Sequence, residues 1–298
     1  MVYRVVGSSL LVSAALMVGC SGANPGDLGS PGSDGGIVAP PVGDGGGPID
    51  PSDAGVAGPK VTIHVQTSTA AFPHADGYSG QTTRKTKQGI RAFRLLRSAN
   101  DPNPVLVFDH GAGYVEAGYD DGDDTVIGVA PLSKVPAGTY TIAQVVVTHS
   151  RFRVSSTMHY GGGAFPGEFD CVQALSDNTV IDGVARARGW YRYVFNVGNQ
   201  SFPQEGANAP LPTQPETGGF TMKSNGGVTW YELPVNLVIP PNVTTDVTVI
   251  MAVNMNDAFR WEDQPLLGYT KGVYDTTPLS FEPIRRYGAN SYKLSFID

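Results

Sequence analysis

From residue 60 onward, apolar and polar residues alternate in short runs separated by Gly, Pro, Asn and Asp. Val61 to Val65 begins the pattern, and Val247 to Met255 places an apolar residue at every second position. A period of two puts alternate side chains on opposite faces of a β-strand. Further runs of this kind are Ile90 to Arg97, Pro104 to Phe108, Thr125 to Val129, Tyr140 to Val154, Trp190 to Val197 and Val235 to Ile239.

No run of similar length has the 3.6-residue period of an amphipathic helix. Many short strands between turn residues are typical of a β-sandwich or a barrel. The sequence therefore predicts an all-β fold, an antiparallel β-sandwich. Residues 60–298 have the length of one all-β domain. The Pro- and Gly-rich stretch at 200–219 is expected to be a surface loop, and it is where the domain could divide.

Several local expectations follow from the same pattern. In the longest run, His149, Arg151 and Arg153 share the face that we expect to meet solvent. Arg84 to Lys87 reads as a solvated loop before the second strand. Pro240-Pro241-Asn242 predicts the turn between the run that ends at Ile239 and the run that begins at Val247.

The first 19 residues have the pattern of an export signal. Arg4 precedes an apolar run from Val5 to Val18, which is shorter than the roughly 20 residues of a membrane span. The run ends in Met17-Val18-Gly19-Cys20, which resembles the lipobox of bacterial lipoproteins. This resemblance implies lipidation of Cys20, and Ser21 after it implies an outer-membrane position facing the periplasm or the cell surface. The alternative is an ordinary secretory signal cleaved nearby.

Residues 20–59 are expected to tether the domain to the membrane. Gly, Pro, Ser and Asp dominate this stretch, and residues 21–59 contain no aromatic residue, Lys or Arg. Such a composition cannot bury enough apolar surface to offset the entropy lost on ordering. We therefore predict a disordered tether that follows the lipidated cysteine.

Charge excludes one class of partner. The chain has 20 basic and 27 acidic residues, and 19 basic and 22 acidic residues lie in 60–298. A nucleic-acid-binding domain normally has a clear basic excess, so we expect no nucleic-acid partner. The only other cysteine is Cys171, which we expect to be buried and unreactive.

One acidic cluster could bind a metal ion. Asp120, Asp121, Asp123 and Asp124 surround Gly122, and carboxylate oxygens are the ligands that Ca²⁺ prefers. Their spacing differs from that of an EF-hand loop. The alternative is a solvated hairpin turn, because Asp-Gly is a preferred turn pair. Calcium is the only cofactor that the sequence suggests.

A second candidate site follows the 247–255 strand. Asn256, Asp257, Phe259 and Trp261 combine amide, acidic and aromatic groups, as sites for sugars or peptides do. The alternative is a strand-end loop in which Phe259 and Trp261 pack on the core.

No catalytic motif is present in the sequence. The five histidines form no pair with metal-ligand spacing, and Gly77-Tyr78-Ser79-Gly80 lacks the spacing of a nucleophile elbow. We therefore expect a non-enzymatic envelope module for binding or adhesion, with a glycan, a peptide or an envelope protein as partner. The alternatives are an envelope hydrolase with a site built from distant loops, and a structural envelope component.

Two segments carry a resemblance to known proteins. Val135-Pro136-Ala137-Gly138-Thr139-Tyr140-Thr141-Ile142 resembles the "PAGxYxV" turn and strand of transthyretin-like β-sandwich modules. Val238 to Val249 is similar to the carboxy-terminal hairpin of an uncharacterised family of bacterial lipoproteins that has the same turn and strand earlier in the chain. The resemblance implies a transthyretin-like or immunoglobulin-like sandwich in an envelope lipoprotein, and it assigns no chemistry.

Overall fold

The computed structural model describes residues 47–50, 57–212 and 220–297. The predicted signal peptide, Cys20, most of the predicted tether and residues 213–219 of the predicted loop lie outside these ranges. Twenty β-strands and one 3₁₀ helix, Leu132–Lys134, form the described part, which contains no α-helix. The prediction of an all-β sandwich is confirmed.

The strands follow one another along the whole described chain. The first ten are β1 Lys60–Ser68, β2 Ser79–Gln81, β3 Arg84–Leu96, β4 Val105–Asp109, β5 Val115–Gly118, β6 Asp124–Pro131, β7 Gly138–Tyr160, β8 Gly163–Ala174, β9 Thr179–Ile181 and β10 Val184–Arg186. The second ten are β11 Tyr191–Val197, β12 Gln200–Gly206, β13 Thr221–Asn225, β14 Val228–Ile239, β15 Val247–Asn254, β16 Phe259–Trp261, β17 Asp275–Thr277, β18 Ser280–Phe281, β19 Ile284–Arg286 and β20 Ser291–Ile297.

The largest sheet is organised around β7, which has 23 residues. Along one edge, β14 pairs with residues 138–147 of β7 and β8 pairs with residues 149–160. Along the other edge, β3 pairs with residues 142–153. Both edges of the middle of β7 are therefore hydrogen-bonded, and the strand joins the two halves of the molecule.

The second large sheet has four strands in the order β20-β15-β1-β6. Its outer pairs are antiparallel, whereas β1 and β15 run parallel from Val61 beside Val247 to Ser68 beside Asn254. The expected antiparallel sandwich therefore contains one parallel pair. Three short strands form a further sheet in the order β19-β16-β2.

The two largest apolar cores lie along β7. The larger core packs the four-stranded sheet on the first half of β7 and its neighbours, with Ile63, Val145 and Met251 fully buried. The smaller core packs the second half of β7 with β8, β11 and β16 around Phe169 and Trp261. Because both cores use side chains of β7, the two halves share one structural element.

Three local predictions were wrong, each because a strand acquired a partner that local pattern does not specify. His149 is fully buried, since residues 143–149 of β7 are buried on both faces. Arg84–Lys87 begins β3 instead of forming a loop. Gln200–Gly206 is a strand that pairs with β11. The turn predicted at Pro240-Pro241-Asn242 is present between β14 and β15, but these strands pair in different sheets, so they do not form the hairpin that the family resemblance implied.

The turn that resembles transthyretin-like modules is built around a buried tyrosine. The hydroxyl of Tyr140 donates a hydrogen bond to the carbonyl oxygen of Pro136 at 2.6 Å. Gly138 has a φ of +148°, a conformation that side chains with a β-carbon rarely adopt. These two residues fix the direction in which the chain enters β7.

Part of the predicted tether contacts the sandwich. Pro48 forms a parallel β-bridge with Tyr114, and the amide of Ile49 donates to the carbonyl oxygen of Tyr114 at 2.8 Å. Residues 47–50 of the predicted tether are therefore bound to the folded part just before β5.

Gly89 in β3 tests the close packing against the middle of β7. A β-carbon at residue 89 would lie 2.5 Å from Nδ1 of His149 and closer still to Oγ1 of Thr148. We expect Gly89→Ala to lower the free energy of unfolding by about 1–3 kcal/mol in urea titrations, because the added methyl group overpacks this contact. Gly47→Ala is the control, since a β-carbon there meets no atom within 4 Å. Equal stability of the two variants would contradict this packing.

Candidate functional site

The four carboxylates of the acidic cluster are each bound to different parts of the protein. Asp120 accepts hydrogen bonds from the amides of Lys85 and Thr86, both at 3.0 Å. Asp123 accepts one from the amide of Asp120 at 2.9 Å. Asp121 accepts one from the amide of Thr69 at 2.7 Å, which holds the pKa of Asp121 below its ordinary value.

The carboxylate of Asp124 is hydrogen-bonded to β1, which none of the other three carboxylates contacts in this way. Burial raises the pKa of its carboxyl group, but hydrogen bonds from His64 and Gln66 of β1 outweigh burial and lower the pKa. No set of three His, Cys, Asp or Glu side chains in the described ranges is arranged to hold a metal ion. The cluster thus connects β1, β3 and the loop after β1, and a calcium ion at these four residues stays a prediction.

The second candidate stretch forms part of the protein interior. Phe259 and Trp261 are buried in the smaller core, where Tyr274 packs edge-on against both rings. Phe259 and Trp261 therefore pack on the core, which was the alternative to a binding site, and neither ring is exposed to solvent. Asn256 accepts a hydrogen bond from the amide of Phe72 at 3.0 Å, and the amide of Asp257 donates to Thr82 at 2.9 Å. Asn256 therefore holds the loop after β1, and Asp257 holds the connection between β2 and β3.

Arg260, between the two aromatic residues, has a role that the sequence did not indicate. Its guanidinium group is buried and donates to both carboxylate oxygens of Asp76, from Nε at 2.8 Å and from Nη2 at 2.5 Å. Burial raises the pKa of Asp76, but Arg260, the amide of Tyr78 and the charge of Arg286 together lower it. This ion pair anchors the loop after β1 to β16.

A small, mostly apolar cavity lies between the two large sheets. It has a volume of about 50 Å³, and its lining includes Gln88, Tyr119, Tyr231 and Tyr292. Burial raises the pKa of Tyr231 to about 12 and raises the pKa values of Tyr119 and Tyr292. The three phenols therefore stay protonated at neutral pH. Ligand pockets usually measure about 300–1,000 Å³, so this space suits water-sized molecules.

His149 links two strands that flank β3. Its Nε2 lies 3.0 Å from a carboxylate oxygen of Glu116 in β5, and its Nδ1 lies 3.1 Å from the hydroxyl of Thr148. The hydrogen bond from His149 lowers the pKa of Glu116, although burial opposes it. A hydroxyl, an imidazole and a carboxylate in this order could support nucleophilic catalysis. However, Thr148 and His149 are buried, so a substrate cannot reach them in this conformation.

An exposed apolar surface lies at the far end of β7, and we call it the apolar tip. Its five side chains lie on three turns and on the strand ends beside them. They are Tyr160 and Phe165 (56% and 44% exposed), Leu266 and Leu267 (55% and 104%), and Leu279 (69%). Contiguous exposed apolar side chains of this kind commonly mark interaction surfaces.

Strand pairing brings the three turns together. Phe165 lies opposite Met158 in the hairpin of β7 and β8. β17 runs parallel to β7 with Thr276 beside Met158, so the turn at 278–279 continues to the level of Tyr160. The ring of Tyr269 stacks on His159 with centroids 4.9 Å apart, which holds the Leu266-Leu267 turn at the same end.

Two buried carboxylates hold the longest of these turns in place by hydrogen bonds from its backbone amides. Asp275 accepts hydrogen bonds from the amide of Thr270 at 2.6 Å and lies 2.7 Å from Nε2 of His159. Glu282 accepts from the amides of Gln264 and Asp275 at 2.7 Å and 2.8 Å. Burial raises the pKa of Glu282, and the negative charges of Asp275 and Asp263 raise it further. The hydrogen bonds from the two amides lower the pKa, but by less. The apolar tip is therefore built on a hydrogen-bonded base.

The buried Asp76–Arg260 pair predicts a stability change that depends on pH. Asp76→Asn leaves the Arg260 cation without a charged partner, so we expect a loss of about 3–5 kcal/mol at pH 7 in urea unfolding. Because the folded pKa of Asp76 is lowered, its stabilisation is complete above the unfolded value of about 3.9 and disappears as the pH falls through the folded value. The difference between the two proteins should therefore begin to shrink below about pH 4 and be smallest once the pH is below the folded pKa of Asp76.

Asp170→Asn serves as the matched control, since the Asp170–Arg153 pair is half-exposed and should contribute less than about 1 kcal/mol. If Asp76→Asn costs no more than Asp170→Asn at pH 7, the buried pair does not stabilise the fold as described.

Comparisons with known proteins identify no relative of this chain. No protein-family profile, no curated protein and no solved structure matches it. Across residues 47–50, 57–212 and 220–297, no helix has the length and hydropathy of a membrane span. The resemblance to transthyretin-like modules therefore depends on the short motifs alone.

Proposed function

We propose that this chain is a lipid-anchored protein of the bacterial outer membrane whose sandwich is a non-enzymatic binding module. In this proposal the apolar tip is the binding surface. The observation that supports it most is the exposure of five apolar side chains on three turns at one end of β7. Burying a Leu or Phe side chain contributes about 1.5–3 kcal/mol, so these residues stabilise a complex more than they stabilise the free protein.

The base of the tip supports a role in binding. Association costs entropy when loops must be ordered, and a turn already held by backbone hydrogen bonds avoids part of that cost. Asp275 and Glu282 together accept hydrogen bonds from three backbone amides of residues 264–275. The tip is thus preorganised for contact.

The chemistry of the tip favours an apolar partner surface. Glycan recognition uses aromatic faces beside hydrogen-bonding amides, and Phe259 and Trp261, which suggested a sugar or peptide site, are buried. The tip consists of three leucines, a phenylalanine and a tyrosine. Among the partners expected from the sequence, an envelope component with an apolar surface fits the tip better than a glycan does.

A photo-crosslinking amino acid at position 267 tests this function in intact envelopes. We expect adducts at least several-fold more abundant than with the same group at position 106, because Leu267 lies at the tip and the exposed Leu106 lies on β4. Adducts are measured by mass spectrometry of the membrane fraction. Equal yields at the two positions would contradict a binding role for the tip.

The anchor is tested separately in the same cells. Cys20→Ser should move the chain from the membrane fraction to the soluble fraction if Cys20 carries the lipid. Retention of the variant in the membrane fraction would contradict the lipid anchor.

A further inference from the structure

We infer that the apolar tip docks into the lipid surface to which the chain is anchored. This inference rests on the proposed function and names its partner. Three properties of the structure favour a lipid surface over a folded protein: the shape of the tip, its charge, and its distance from the predicted anchor.

The side chains of the tip are exposed on turns and on strand ends. Leu267 is 104% exposed and Leu279 is 69% exposed, and each lies in a turn. The glycines between Tyr160 and Phe165 form the third turn. Protein interfaces require a complementary pocket for each such side chain. A lipid surface accepts protruding leucine and tyrosine side chains without a specific complement, and tyrosine favours the boundary between water and acyl chains.

The exposed surface of the tip has little charge. Residues 264–281 contain two charged side chains, of which Lys271 is exposed and Asp275 is buried. The half-buried carboxylate of Asp263 flanks this stretch and accepts a hydrogen bond from the amide of Gly272 at 3.0 Å. Few exposed charges suit a surface that enters a lipid layer, and Lys271 can contact anionic headgroups.

The length of the chain before the sandwich allows this orientation. Gly47 is held beside Tyr114, whose ring contacts His149 in the middle of β7 with centroids 4.7 Å apart. Tyr160 lies 11 residues further along β7, at most about 36 Å away. Cys20 precedes Gly47 by 27 residues, which span up to about 90 Å when extended. A lipid on Cys20 and the apolar tip can therefore reach the same bilayer surface.

The same geometry predicts which end of the molecule faces away from the lipid. Val238 is 56% exposed and lies opposite Thr139, at the start of β7. Since Tyr160 is at the end of β7, Val238 and the tip lie at opposite ends of the strand. Val238 is thus a matched control position for an exposed apolar residue outside the tip.

Tryptophan fluorescence of the lipidated full-length chain tests the inference. Leu267→Trp and, separately, Val238→Trp are placed in vesicles of phosphatidylethanolamine and phosphatidylglycerol, with and without brominated acyl chains. We expect brominated lipid to quench the added signal of Leu267→Trp at least twofold more than that of Val238→Trp, after subtraction of the unsubstituted chain. Both positions are exposed, so unchanged melting temperatures verify that the substitutions leave the fold intact.

Vesicle flotation separates failure of the docking from failure of the anchor. A chain that floats with the vesicles but shows equal or no quenching at the two positions overturns the docking alone, and it makes a protein the partner of the tip. A chain that does not float overturns the lipid anchor together with the docking.

Discussion

The structure depends on the hydrogen bonding of β7 along both of its edges. A strand of 23 residues crosses the whole molecule, and β3, β8 and β14 are each aligned by it. Backbone amides and carbonyl groups in a buried strand must be paired, and the neighbouring strands supply those partners. The two apolar cores contact opposite halves of the same strand, so displacement of β7 would affect both. The apolar tip is an extension of this strand and of the β17 segment aligned on it.

Much of the strand pattern could be predicted from the sequence, because alternation of apolar and polar residues reports one buried face directly. The pattern gave a wrong prediction of exposure where both faces of a strand are buried. His149 is an example, because its buried side chain is hydrogen-bonded to Glu116. It also failed for Arg84–Lys87, whose strand conformation comes from pairing with residues far along the chain. The partner of a strand is a tertiary property, and this explains why β14 and β15 pair in different sheets although the family resemblance implied a hairpin.

The candidate sites, like the strands, could be predicted from the sequence only in part. Residue type alone suggested ligand binding by Phe259 and Trp261, but large aromatic side chains also supply the most burial energy, and here they fill the smaller core. The apolar tip could not be predicted from the sequence. Its leucines stand among turn residues and show neither the two-residue period of a strand nor the 3.6-residue period of a helix. Only the pairing of β7 with β8 and β17 brings their turns to one end.

The central claim is that the apolar tip is a preformed surface built on β7 by buried carboxylates. Amide hydrogen exchange tests it most directly. The amides of Gln264, Thr270 and Gly272, which donate to Glu282, Asp275 and Asp263, should exchange far more slowly than the amide of Gly162 in the exposed turn between β7 and β8. If these three amides exchange as fast as that of Gly162, the turn is not held by the carboxylates and the account of a preformed tip is contradicted.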